Sequence, residues 1–183
     1  GWRTRRNRGL RAPALIGLTA GVVTWFVAGT VLALVQHSAP PMPALELASL
    51  DEQPVNLDAY AGRPVVLNLW ASWCPPCRRE MPVFQQAQAA FPDIAFVMVN
   101  QGESAQQARA FLARERLAFN DVLLDPASQA MRAMGSRGLP TTLFFDAQGR
   151  LVHTHLGELT MASLKHTVSR RSPPSSQSGA QAK

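Results

Sequence analysis

A chain of 183 residues has room for one domain of ordinary size plus appendages. Its formal net charge of +6 would suit a nucleic-acid binder, but Arg3, Arg5, Arg6, Arg8 and Arg11 crowd before residue 12 and Lys183 closes the chain, leaving basic and acidic residues equal in number between them. A formally neutral middle without a basic, aromatic-studded groove excludes single-strand binding, so no nucleic-acid partner is expected.

After the basic residues 1–11 comes a run of 24 residues without a charge, 12–35. A helix needs about 20 apolar residues to cross a bilayer, whereas the apolar core of a cleaved signal peptide has only about 7–15. No good small-x-small cleavage site precedes Leu45, and cleavage after Ala39 would set Pro40 beside the cut. A retained transmembrane anchor is therefore expected. The positive-inside rule keeps 1–11 in the cytoplasm and delivers everything after His37 to the far side. No cysteine follows the apolar run to carry a lipid, and the first residue is Gly rather than Met, which leaves room for an upstream start. Residues 36–44 read as a stiff Pro-rich linker that lifts a domain off the membrane. From 172 to 183 the Ser, Pro and Gln content without apolar period reads as a disordered tail, leaving 45–171 for the folded domain.

Within that domain, 45–50 and 54–57 read as a short hairpin around Asp51 and Glu52. The nearly continuous apolar run 64–70 has the character of a strand buried on both faces, as does 94–100. Between them a helix is predicted over 75–90. Ser104 caps a second helix to 116, with Ala108, Phe111 and Leu112 at helical spacing. A short strand at 121–124 and a short helix at 128–134 follow. Residues 141–146 and 150–155 flank Ala-Gln-Gly, a turn in which Gly149 supplies positive φ, and 160–170 forms the closing helix. Strand–helix–strand units followed by a hairpin and a helix give an α/β fold with a mixed sheet. No internal repeat is present.

The only two cysteines stand in Trp73-Cys74-Pro75-Pro76-Cys77, between a buried strand and a helix. Free amides and the dipole at a helix N-terminus stabilise an anion, so the Cys74 thiolate is favoured and Cys74 is the expected nucleophile. Cys77, one turn further in, is the expected resolving partner: it would cleave the mixed disulfide that Cys74 forms with a substrate, leaving a Cys74–Cys77 disulfide. A purely structural crosslink across so tight a loop is the weaker alternative. Two cysteines exclude a four-cysteine zinc site, but a Cu(I) site of both thiolates with His153 and His155 stays open, the last strand returning toward the cysteine end. The bland reading of these histidines is a solvated strand face.

Three separated segments carry a family resemblance: Val-Val-Leu-Asn-Leu-Trp-Ala-Ser-Trp-Cys-Pro-Pro-Cys-Arg-Arg-Glu-Met-Pro at 65–82, Val-Asn-Gln-Gly-Glu-Ser at 99–104 and Gly-Leu-Pro-Thr-Thr at 138–142. With these, residues 45–168 resemble the TlpA/ResA-like branch of the thioredoxin superfamily, related to the CcmG/DsbE proteins of cytochrome c maturation. The helix and strand at 104–124 look like the insert of this branch. Peroxiredoxins look unlike it, because no Pro-x-x-x-Thr-x-x-Cys precedes a reactive cysteine.

The resemblance implies a thioredoxin-like fold with an N-terminal hairpin and a central helix–strand insert. It also implies roles. Pro140 looks like the cis-proline that faces the cysteine pair, with Leu139 and Thr141 beside it and Trp73, Pro75 and Pro76 as active-site neighbours that meet the substrate. Trp73 is expected to shield Cys74, and Trp70 to lie in the core. Asn68 stands where thioredoxin has a buried aspartate. An amide cannot exchange the proton of Cys77, and Glu80, three residues after Cys77, looks like the family's acidic residue. The competing reading of Glu80 is a surface salt bridge to Arg78 or Arg79. Pro82 looks like the family's helix-kinking proline. Implied partners are disulfide-containing proteins, such as apocytochrome c or a copper-delivery protein, and an electron-supplying membrane protein of the DsbD/CcdA type. The implied location is a bacterial inner membrane with the catalytic domain periplasmic or extracytoplasmic. No cofactor and no metal is implied. Reductase is the expected direction. An oxidase role stays open, and the absence of a second cysteine pair or dimerisation region speaks against an isomerase.

Overall fold

The computed structural model describes residues 39–171; the basic N-terminus, the apolar stretch 12–35, residues 36–38 and the tail from 172 lie outside the described residues. Among the described residues no helix is long and apolar enough to cross a membrane.

Seven strands form one mixed sheet: β1 (Glu46–Ser49), β2 (Pro54–Asn56), β3 (Val65–Trp70), β4 (Ala95–Gln101), β5 (Asp121–Asp125), β6 (Thr141–Phe145) and β7 (Leu151–Leu156). Their spatial order is β2-β1-β5-β4-β3-β6-β7. β3, β4 and β5 run parallel, and β6, β7 and the β1–β2 hairpin run antiparallel to their neighbours. Four helices accompany it: α1 (Pro75–Ala90), α2 (Ala105–Arg114), α3 (Gln129–Ala133) and α4 (Met161–Arg171). Every element predicted within 45–171 is present, with ends moved by one or two residues; the helix expected at 12–35 lies outside the described residues. A 3-10 turn, Leu57–Tyr60, follows β2 where the sequence suggested only the end of a strand.

The apolar runs explain the layering. Every residue of β3 and of β4 is buried, as central strands covered on both faces require. Alternation divides their side chains between two cores. Val66, Trp70, Phe96 and Met98 join Met81 and Phe84 of α1, Phe111 of α2 and Leu164 of α4. Val65, Leu67, Leu69, Val97 and Val99 join Leu57, Tyr60 and Ala130 on the other face. Trp70 is fully buried and its ring lies 5.5 Å from that of Phe111, placing it in the core as expected. Ser104 caps α2 with a reciprocal capping box to Gln107. Gly149 has φ 71 in the β6–β7 turn, again as the sequence indicated.

Part of the segment assigned to the linker is hydrogen-bonded into the domain. Met42 N–H donates to Gly149 C=O at 2.7 Å, Leu151 N–H donates to Pro40 C=O at 2.8 Å, and Pro41 bridges Arg150. Pro40, Pro41 and Pro43 lack an N–H, so Met42 has the one donor available there, which is the usage expected of prolines on a sheet edge. Met42 and Leu45 pack on the second core. The ordered domain therefore starts before residue 45.

Candidate active site

β3 delivers the chain at Trp70 to a turn, and Cys74 N–H donates to Ala71 C=O at 3.2 Å to close it. Cys74 has extended backbone (φ −92, ψ 107) and is the N-cap of α1. Pro75 and Pro76 fill the first positions, where a missing N–H is no loss to the helix. Because neither proline can donate, the Cys77 N–H is free to serve the cap, and it donates to Cys74 Sγ at 3.3 Å. The sulfur sits where a Ser or Asp oxygen would otherwise cap. Cys74 and Cys77 are joined in a disulfide with Cα atoms 5.3 Å apart. Cys77 is fully covered and Cys74 is 3% exposed.

Glu80 shares a helix face with Cys77 and is completely buried. Its Oε1 accepts from Asn68 Nδ2 at 2.9 Å, and its Oε2 accepts from Leu159 N–H at 2.8 Å. Asn68 Nδ2 also donates to Thr142 Oγ1 at 3.1 Å, tying β3, β6 and α1 together beneath the cysteine pair. Burial raises the Glu80 carboxyl to about 7; the hydrogen bonds from Leu159 and Asn68 oppose the rise and the nearby Glu158 adds to it. A surface ion pair for Glu80 is not formed. Arg78 instead pairs with Glu115 at 3.6 Å and Arg79 with Glu158 at 2.7 Å. α1 continues through Pro82, which has no N–H for the Arg78 carbonyl.

The Leu139–Pro140 peptide bond is cis. In the β3–β6 ladder Leu69 stands opposite Thr141, so Pro140 lies at the end of the sheet where β3 runs out toward Cys74. Pro140 C=O accepts from Gly157 N–H at 2.9 Å, and Thr141 Oγ1 donates to Gly138 C=O at 2.7 Å, so Leu139 and Pro140 are held from both sides. Trp73 is 66% exposed and Leu156, opposite Thr141, is 61% exposed; they are the large apolar side chains most open to solvent among the described residues. The two histidines are used otherwise than a copper site requires. His153 packs its ring 5.6 Å from Phe144, and His155 Nε2 lies 3.4 Å from the Glu158 carbonyl. Among the described residues no group of three or more His, Cys, Asp or Glu side chains could hold a metal ion.

One cluster beside the site was not anticipated from the sequence. Glu103, 5% exposed, follows β4 and accepts from Ser72 N–H at 2.7 Å and Asn100 Nδ2 at 2.6 Å, both on Oε2. Its Oε1 accepts from Ser72 Oγ. A glutamate before a capping serine carries no mark of burial, and its partner lies 31 residues away. Only the recurrence of Val-Asn-Gln-Gly-Glu-Ser as a family segment pointed at it.

The Redoxin family model matches residues 37–168. The chain belongs to the Redoxin family. This Redoxin-family chain is 27% identical over 150 residues to sporulation thiol-disulfide oxidoreductase A of Bacillus subtilis, covering 79% of this chain and 88% of that protein. It is 30% identical over 133 residues to thiol-disulfide oxidoreductase ResA of Geobacillus thermodenitrificans, covering 72% and 76%. A structure from Chlorobium tepidum assigned as a thiol:disulfide interchange protein DsbE superposes with a TM-score of 0.65 at 29% identity, covering 72% of this chain and 94% of that one. The fold is thioredoxin-like, as the resemblance implied.

Proposed function

We propose that this chain is a membrane-tethered, extracytoplasmic thiol–disulfide oxidoreductase that reduces specific protein disulfides. The observation that carries the reading is the Cys74–Cys77 disulfide at the start of α1, with the Cys74 sulfur as helix cap and the buried Glu80 on the Cys77 face of the helix. Activity of this kind is named in the relatives, and 24 uncharged residues before the domain support the tether.

In the reduced protein the Cys74 thiolate, favoured by the helix N-terminus, attacks one sulfur of a substrate disulfide. One substrate thiolate leaves and a mixed disulfide forms. Glu80, with its carboxyl near neutrality, takes the Cys77 proton. The Cys77 thiolate then attacks Cys74 Sγ and expels the second substrate thiolate, so the substrate gains two electrons and the pair becomes a disulfide. Pro140, with Leu139 and Thr141, supplies the backbone against which the substrate chain lies, and Trp73, Pro75 and Pro76 form the rim around Cys74. A second dithiol, of the kind a DsbD/CcdA-type membrane protein offers, returns the pair to its reduced form. Apocytochrome c and copper-delivery proteins are the substrates the family resemblance favours.

Equilibrating the full chain in detergent against glutathione or dithiothreitol buffers tests the direction. A reduction potential near thioredoxin's, about −270 mV, is expected of a reductase. One near DsbA's, about −120 mV, would make the protein a disulfide donor and overturn the reading.

A further inference from the structure

Glu103 is a buried acid for which the exchange chemistry above has no use. It stands just after β4, where Gly102 turns the chain with φ 75 and donates its N–H to Asp125 C=O at 3.0 Å, and just before the Ser104 cap of α2. The fold thus presses it inward rather than letting it swing into solvent. All three of its partners donate: Ser72 N–H, Ser72 Oγ and Asn100 Nδ2. An ionised carboxylate, which only accepts, takes all three at once. Ser72 is two residues before Cys74, so at most about 7 Å of backbone separates their Cα atoms. The Glu103 carboxylate is bonded to that same turn, and both Glu103 and Cys74 are buried, so a negative charge on one acts on a negative charge on the other.

We propose that Glu103 is a positioning residue and a fixed anion that staples the turn between β3 and α1 and biases the Cys74–Cys77 pair toward the disulfide, making the protein a stronger reductant. Two fields then meet at Cys74. The N-terminus of α1 favours the thiolate, and Glu103, bonded to Ser72 in the same turn, disfavours it. Stabilising the reduced form is what makes a pair of this kind an oxidant, so an anion that destabilises the thiolate moves the pair the other way. The staple also links the redox turn to the helix–strand insert, since Glu103 opens the segment that leads into α2.

This inference rests on the oxidoreductase reading, and one experiment separates the two. The full chain in detergent, as wild type, Glu103→Gln and Ser72→Ala, is equilibrated with glutathione buffers, and the reduced fraction is scored by thiol alkylation; the pH at which Cys74 becomes alkylated is followed in parallel. Glutamine keeps the staple, with its carbonyl facing the Ser72 and Asn100 donors and its amide donating to Ser72 Oγ, but it removes the charge. Glu103→Gln should shift the equilibrium about tenfold toward the reduced pair, which is about 30 mV, and move Cys74 alkylation to lower pH. Ser72→Ala leaves the charge less neutralised and should shift the equilibrium a few-fold toward the disulfide. Opposite signs support the proposal. A Glu103→Gln protein within twofold of wild type, or both variants moving in one direction, overturns it. If Glu103→Gln does not fold, Ser72→Ala decides alone: a shift toward the disulfide supports the fixed anion, and no shift or the reverse overturns it. A wild-type pair that fails to exchange with glutathione overturns the oxidoreductase reading itself and the inference with it.

Discussion

Glu80, three residues after Cys77, and Glu103, bonded to Ser72 two residues before Cys74, are both buried acids, yet their surroundings prepare them for different work. Glu80 receives two donors, one on each oxygen, from an Asn side chain and a backbone amide. That is too little to offset complete burial, and its carboxyl rises to about 7, where a proton comes and goes readily. Glu103 receives three donors in a tight set about Ser72 and Asn100, the arrangement on which its proposed role as a fixed anion rests. Depth alone does not decide what a buried carboxylate does; the number of protons aimed at it does. A group that moves a proton should govern rates, and a group that holds a charge should govern the resting equilibrium.

Cys74→Ser makes the largest break, because it removes the nucleophile: insulin-type disulfide reduction should fall to background, while Cys77→Ser should instead accumulate a mixed disulfide visible by mass spectrometry. Next comes Glu80→Gln, which should slow reduction at pH 7 by about 100-fold, the lower end of what a general acid–base group contributes. In rapid-mixing experiments the inflection near pH 7 should vanish with it. Glu80 also sets a stability signature. Its folded value lies above the ordinary 4.5, so the folded oxidised protein holds a proton that the unfolded chain has lost, and the stabilisation present below pH 4.5 should decline as pH rises through 7. Thermal melting between pH 4 and 8 should show that decline in wild type and a flatter profile in Glu80→Gln. Asn68→Asp is a finer instrument. It replaces a donor to Glu80 with a second carboxylate, and like charge should push the inflection above 7, whereas a profile left in place would remove Asn68 from the relay. Smallest of all, Arg79→Ala breaks the exposed pair with Glu158 and should alter stability by about 1 kcal/mol or less in chemical denaturation.

Much of this was readable in advance because it is written locally. The unbroken apolar runs of β3 and β4 announced central strands, Ser104 announced a helix start, and the cysteines fell between a strand and a helix at a spacing with few uses. Glu80 and the cis Pro140 were reached through family resemblance rather than spacing, since a glutamate between an arginine and a methionine looks like a surface residue and nothing in Leu-Pro-Thr marks a cis bond. What stayed hidden depends on partners far along the chain. Glu103 meets Ser72, Glu80 meets Leu159, and Asn68 meets Thr142 across 31, 79 and 74 residues. Such meetings are products of sheet order, and sheet order is not contained in any one segment.

The strap of Pro40–Met42 along the β6–β7 turn fixes where the described chain enters the domain. β6 begins at Thr141 beside the redox end and finishes at Phe145, next to Val65 at the start of β3, so the strap is fastened at the opposite pole. Five strand residues at roughly 3.3 Å each put on the order of 17 Å between the point of entry and the cysteines. A load applied to the chain upstream would be borne by the two rungs at Gly149 and Leu151 and dissipated in that hairpin. Such a load would leave the thiol pole, at the far end of the sheet, without strain of its own.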